Sequence, residues 1–202
     1  MDIITQNKTR YNQWCNSKIT NFTDNLNDLF VEIADPSRLS KAERERIISI
    51  ISQNNLCFFE LQKSAYVEKS HIRLLADSVG MCNYESCNTS DDSYISEISN
   101  ETKHDVVGEY IPYTNKALNW HTDGYYNSIT TPILSWMLYC MNPAEEGGTN
   151  KFLDHELLYI YFNKESGRIK ELMDKSAYYI PKNEAIGRAD EHGYIFNFIK
   201  DK

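Results

Sequence analysis

The chain has 202 residues, 41% of them hydrophobic and 12% aromatic, enough to bury one sizeable core. Lys and Arg number 21 against 29 Asp and Glu, a net charge of −8 with no clustered basic run, which argues against electrostatically led binding to nucleic acid or an anionic membrane. No apolar run approaches the roughly 18 residues of a membrane span, and the start MDIITQNKTRYNQW lacks an apolar leader, so a cytoplasmic protein is expected. The five cysteines are odd in number and scattered, which in that compartment reads as reduced structural thiols.

Residues 1–39 are mixed and polar, with Trp14 and Leu29-Phe30-Val31 expected as a peripheral layer that Pro36 ends. Ser40-Lys41-Ala42-Glu43 is a capping-box pattern, and Ile47, Ile48, Ile50 and Ile51 follow at helical spacing, so a one-sided helix is predicted over 41–53. Leu56-Cys57-Phe58-Phe59 reads as a short strand, and a second helix is predicted from Tyr66 to Val79, closed by Gly80. His71, alone within that helix, reads as a structural or solvated histidine. From Asn83 to Asp105 the composition turns to Ser, Asn, Asp, Thr and Glu, the texture of a long surface loop. Strands are predicted at 106–113, 132–141, 176–180 and 194–199, with a helix over 154–162. This order implies an α+β arrangement with an antiparallel sandwich or roll.

The sharpest local feature is Asn119-Trp120-His121-Thr122-Asp123-Gly124, followed by Tyr125-Tyr126. Residues two apart on an extended segment project to the same side, so the His121 imidazole and the Asp123 carboxylate can reach one cation. Two His and one carboxylate form the facial triad of non-haem Fe(II) sites, and this pair is two-thirds of one. His-x-Asp also recurs by chance, so the pair by itself leaves metal binding open. No HExxH or second closely spaced His accompanies it, which disfavours a zinc hydrolase.

The wider stretch from Ile111 to Gly124, with Glu146-Gly147-Gly148-Thr149-Asn150 and Leu153-Asp154-His155-Glu156 downstream, resembles the taurine dioxygenase-like (TauD/TfdA) family of Fe(II)/2-oxoglutarate-dependent oxygenases. The resemblance runs from about residue 40 to the C-terminus, leaving residues 1–39 as an N-terminal peripheral segment and 40–202 as the oxygenase-like domain. It implies a double-stranded β-helix, a cupin-like jelly roll, with N-terminal helices outside it. It also implies iron ligation by His121 and Asp123, 2-oxoglutarate as cosubstrate, and a small-molecule substrate oxidised as 2-oxoglutarate is decarboxylated to succinate. Trp120, Tyr125, Tyr126 and Trp136 are candidates to line the pocket, although aromatics at strand positions are commonly core.

In the family a Gly-Gly-x-Thr/Ser segment brings a hydroxyl to the cosubstrate carboxylate. Gly147 and Gly148 match, Asn150 stands at the hydroxyl position, and an amide can also donate to a carboxylate. The same residues read equally well as a Gly-Gly turn after Pro143.

The larger departure concerns the family's distal His and the Arg that follows it. After Asp123 the chain has only His155, at the start of a predicted helix, and His192, followed by Lys200 and no Arg. A Lys can anchor a carboxylate as a point charge, but Gly187-Arg188 and Gly193-Tyr194-Ile195-Phe196 resemble a family segment that lies before the distal His. The predicted strands also fall short of the roughly eight of a complete jelly roll. An incomplete core is therefore expected, with a sheet edge that a second copy or another chain would cover. A non-catalytic remnant and a split oxygenase stand as alternatives to a self-sufficient enzyme.

Overall fold

A computed structural model describes residues 7–62, 67–85, 90–99, 111–114, 116–128, 130–165, 167–184 and 187–198. Helix α1, Lys8–Asn21, starts where the Asn7 side chain accepts from the N–H groups of Thr9 and Arg10. A 3-10 turn, Leu26–Leu29, leads into strand β1, Phe30–Ile33. Helix α2, Lys41–Asn54, begins with the predicted capping box: Glu43 N–H donates to the Ser40 hydroxyl oxygen, and Ser40 N–H donates to the Glu43 carboxylate. The Ser40 hydroxyl and then the Ala34 N–H hold the Glu43 carboxyl below its ordinary pKa. Strand β2, Phe58–Leu61, and helix α3, Lys69–Ser78, follow, with Gly80 at φ +93° behind α3. His71 is structural, its Nδ1 accepting from the Glu68 N–H at the start of α3.

Strands β1 and β2 pair in parallel, Phe30 opposite Phe58 and Ile33 opposite Leu61, so residues 30–61 are a βαβ unit rather than part of an antiparallel roll. Leu29 and Val31, expected at the periphery, form the first core together with Ile33, Ile47, Ile50 and Leu75. Ile33 is completely buried. On α2 only the Ile47 and Ile50 stripe enters this core; Ile48 and Ile51 are exposed, because β1 is one short strand and covers a narrow face. Arg46 ties α2 to the Asp28 carbonyl, and Arg44 ties it to that of Ser78.

Residues 90–99 of the predicted loop are strapped to α3. Lys69 bonds Asp91 and Glu97, while Arg73 donates to the Ser93 carbonyl and lies 3.6 Å over the Tyr84 ring. Burial pushes the Tyr84 hydroxyl up to about 12, with its bond to Asp77 adding to the shift.

A second core lies between the two ends of the described chain. Helix α4, His155–Glu165, buries Tyr159 and Ile160 against Cys15, with Ile169 from the short helix α5, Ile169–Leu172. Asp154 caps α4 by accepting from the N–H groups of Glu156 and Leu157. Lys18, only 6% exposed, joins α1 to α2 and α4: its Nζ lies 2.8 Å from Asp154 Oδ2, Glu156 Oε2 and the Gln53 carbonyl.

Strands β3, Tyr178–Ile180, and β4, Glu191–Gly193, form an antiparallel hairpin. The strand predicted over 194–199 does not form in the described part. The N–H groups of Ile195 and Phe196 both donate to the Leu172 carbonyl, and Phe196 and Phe198 pack into the second core. Residues 132–140 carry no ladder, although Met137 and Tyr139 face the first core while Leu134, Trp136 and Leu138 are exposed. Of the strand predicted over 106–113, residues 106–110 lie outside the described residues and Ile111–Tyr113 is a 3-10 turn. The described residues thus form two two-stranded sheets among helices, and no closed barrel or double-stranded β-helix is seen among them. No helix among them is long and apolar enough to cross a membrane.

Candidate metal centre

His121 and Asp123 sit on a loop segment, and the chain turns immediately after them. Gly124 takes φ +67°, and the space its Cβ would need is filled by Ile133, whose Cδ1 would lie 2.6 Å away. The turn is closed by the Asn127 N–H on the Gly124 carbonyl and by the Asn127 side chain on the Thr131 carbonyl.

The His121 Nδ1 lies 2.7 Å from the Asn119 carbonyl oxygen. A carbonyl only accepts, so Nδ1 donates in this contact, and in the neutral ring Nε2 is the nitrogen left to bind a metal. Nε2 faces Asp123 Oδ1 at 3.8 Å, and the two side chains are 41% and 48% exposed. With metal bonds of roughly 2.1 Å the two donors would meet one ion across 3.8 Å only at a wide angle, and they must close to about 3 Å to sit side by side on one face of it.

Around the pair lie Trp120, 68% exposed, and the edge-to-face rings of Tyr125 and Tyr126. Trp136 lies elsewhere, 6.2 Å from Phe152, which in turn meets Phe58. The β3–β4 hairpin reaches the motif at two points. The Tyr178 hydroxyl donates to the Tyr125 carbonyl at 3.3 Å, and the Arg188 guanidinium lies 5.9 Å from the centre of the Tyr126 ring. Gly193, opposite Tyr178 in the ladder, makes the first contact possible, because a Cβ there would collide with the Tyr178 ring.

Residues 19–193 match the family model described as taurine catabolism dioxygenase TauD, TfdA family. The chain belongs to that family. No curated protein and no solved structure matches it. TauD/TfdA proteins are Fe(II)- and 2-oxoglutarate-dependent dioxygenases with a cupin-like fold. The TauD/TfdA match begins before residue 40, where the motif resemblance starts, and takes in β1 and the end of α1.

The other predicted site residues that are described make their contacts elsewhere. Among the described residues no group of three His, Cys, Asp or Glu side chains is placed to hold a metal. His192, on β4, packs its ring 4.8 Å from that of Tyr179, His155 is the first residue of α4, and Lys200 lies outside the described residues. Gly147 and Gly148 both take positive φ, and the Asn150 amide donates locally to the Gly148 carbonyl. By donor type, the imidazole of His121 and the carboxylate of Asp123 match two of the three protein ligands of a non-haem iron site. Arg188 and Tyr178 were missed as neighbours of the motif, because only the β3–β4 pairing brings them there and no local pattern marks it.

Proposed function

We propose that this chain is an Fe(II)/2-oxoglutarate-dependent dioxygenase of the cytoplasm, holding iron through His121 Nε2 and Asp123 Oδ1 and oxidising a small molecule as 2-oxoglutarate is decarboxylated to succinate. The observation that carries the reading is the His121–Asp123 pair, 3.8 Å apart with Nδ1 tied back to Asn119, in a chain of the TauD/TfdA family. When bound, the iron supplies open positions for cosubstrate and O₂. The chain's own residues do the rest. The Asn119 carbonyl fixes the imidazole tautomer, Trp120, Tyr125 and Tyr126 supply apolar surface next to the pair, and the Asn150 amide, once released from the Gly148 carbonyl, would donate to the cosubstrate carboxylate. Alternation of inward Met137 and Tyr139 with outward Leu134, Trp136 and Leu138 supports residues 132–141 as a strand of a double-stranded β-helix.

A second reading, a split or non-catalytic oxygenase completed or covered by another chain or another copy, is favoured by the exposed apolar face of this same segment and by the lack of a third ligand among the described residues.

Anaerobic titration of the purified chain with Fe(II) and 2-oxoglutarate separates the two. A visible metal-to-ligand charge-transfer band that His121→Ala or Asp123→Ala abolishes is the expected result. A folded, monodisperse sample with no band overturns the self-sufficient enzyme and leaves the second reading.

A further inference from the structure

The sheet of β1 and β2 has one covered face and one open face. Val31 and Ile33 turn into the first core, so by alternation Phe30 and Glu32 point the other way, and in the parallel register they stand beside Phe58 and Glu60. The open face continues past β2 into residues 132–140. Tyr139 stacks on Phe59 and Met137 reaches the first core, which leaves Leu134, Trp136 and Leu138 outward. A row of rings crosses this face: Phe30 meets Phe58 at 5.1 Å, Phe58 meets Phe152 at 5.8 Å, and Phe152 meets Trp136 at 6.2 Å. Phe30, Phe152 and Trp136 are 44%, 42% and 49% exposed. Large rings in mutual contact at that exposure form a continuous apolar patch, which marks an interaction surface as scattered apolar residues do not.

Two carboxylates beside the rings indicate what the face receives. Glu32 and Glu60 are register partners on neighbouring strands, both are exposed, and neither has an ion pair or side-chain hydrogen bond with a described residue. Like charges directly opposite each other in a ladder are destabilising, and none of the residues named on this face is a Lys or Arg that would offset them. A second copy of the chain laid here would add two more carboxylates and no cation. An open sheet face is covered by another sheet, which sets its own alternate side chains against it. The complement is therefore a β surface of apolar side chains with a Lys or Arg among them.

We propose that the open face of β1, β2 and residues 132–140 docks a partner protein through such a surface, with the partner's cation seated between Glu32 and Glu60. The inference rests on the second reading above, whose covering chain it describes, and does not depend on the metal pair.

The probe is a labelled cyclic β-hairpin peptide with Leu and Lys on one face and Thr on the other, compared with a twin that has Glu in place of Lys. Cyclisation removes the ordering cost that would weaken a linear strand. Binding is followed by fluorescence anisotropy with the full chain in the absence of metal. The wild-type chain is expected to prefer the Lys hairpin by roughly tenfold or more, and Glu32→Lys/Glu60→Lys to reverse that preference. Asp24→Lys/Glu165→Lys, which makes the same change to the net charge of −8 at exposed positions elsewhere, should keep it. Trp136→Ser should weaken both hairpins. The reversal itself shows that the charge-swapped variant is folded; if that variant does not fold, Glu32→Gln/Glu60→Gln is expected to lose the preference instead. No preference between the hairpins, or one that Asp24→Lys/Glu165→Lys abolishes equally well, overturns the proposal. Dimerisation in sedimentation equilibrium that Trp136→Ser abolishes, with neither hairpin bound, overturns it in favour of a second copy and leaves the second reading standing. A chain that neither binds a hairpin nor self-associates overturns both.

Discussion

Gly124 shows how much of the candidate site depends on one residue without chemistry of its own. At φ +67° an alanine is strained by about 1 kcal/mol, and its methyl would also run into the Ile133 side chain. Gly124→Ala is therefore expected to cost about 1–3 kcal/mol in urea denaturation and to weaken Fe(II) retention by moving Asp123. Adding Ile133→Ala should recover part of the retention, whereas a variant as stable and as retentive as wild type would show that the turn has other room. His-x-Asp was legible in the sequence because two neighbouring residues carry it. The reason for glycine in the next position was not, since it lies in a side chain that reaches the turn from residue 133. Asn150 was legible only as a family position, and its amide bonds the Gly148 carbonyl.

At the level of elements, α2 could be read from Ser40 and Glu43 because a capping box is complete within four residues. Helix α1 could not, although Tyr11, Trp14, Cys15 and Lys18 fall at the i, i+3, i+4, i+7 spacing of a buried stripe. Its last member is a lysine, and the groups that neutralise it come from the cap and first turn of α4. Lys18→Ala leaves Asp154, whose side chain is 7% exposed, without its cation, and is expected to lower stability by about 3–5 kcal/mol. Lys18→Met, which refills the space, should cost less than Lys18→Ala in the same denaturation experiment. Equal losses would show that charge rather than packing holds α1 in place. The strand expected after Gly193 failed for a related reason: its alternation is real, but Phe196 and Phe198 are spent on the aromatic cluster of Trp14 and Tyr159, and its N–H groups on the Leu172 carbonyl.

Across the whole molecule, the cores are built from the N-terminal third and from the C-terminal region, while the segment bearing the motif is held at few points. Amide exchange should report this directly. Protons over residues 133–140 are expected to exchange with little protection in the dilute chain, while those of Ile33 and Ile160 persist. Protection over 133–140 that rises with concentration would mean that another copy pairs with the segment. The second core has a different consequence, one that concerns the making of the chain. Tyr11 meets Asn163 across 152 residues of sequence. At roughly 5–20 residues per second, a ribosome takes on the order of ten to thirty seconds to deliver α4 after α1 has emerged. For that interval Trp14 and Cys15 have nothing native to pack against, and the nascent helix is a natural client for whatever shields apolar surface at the exit tunnel.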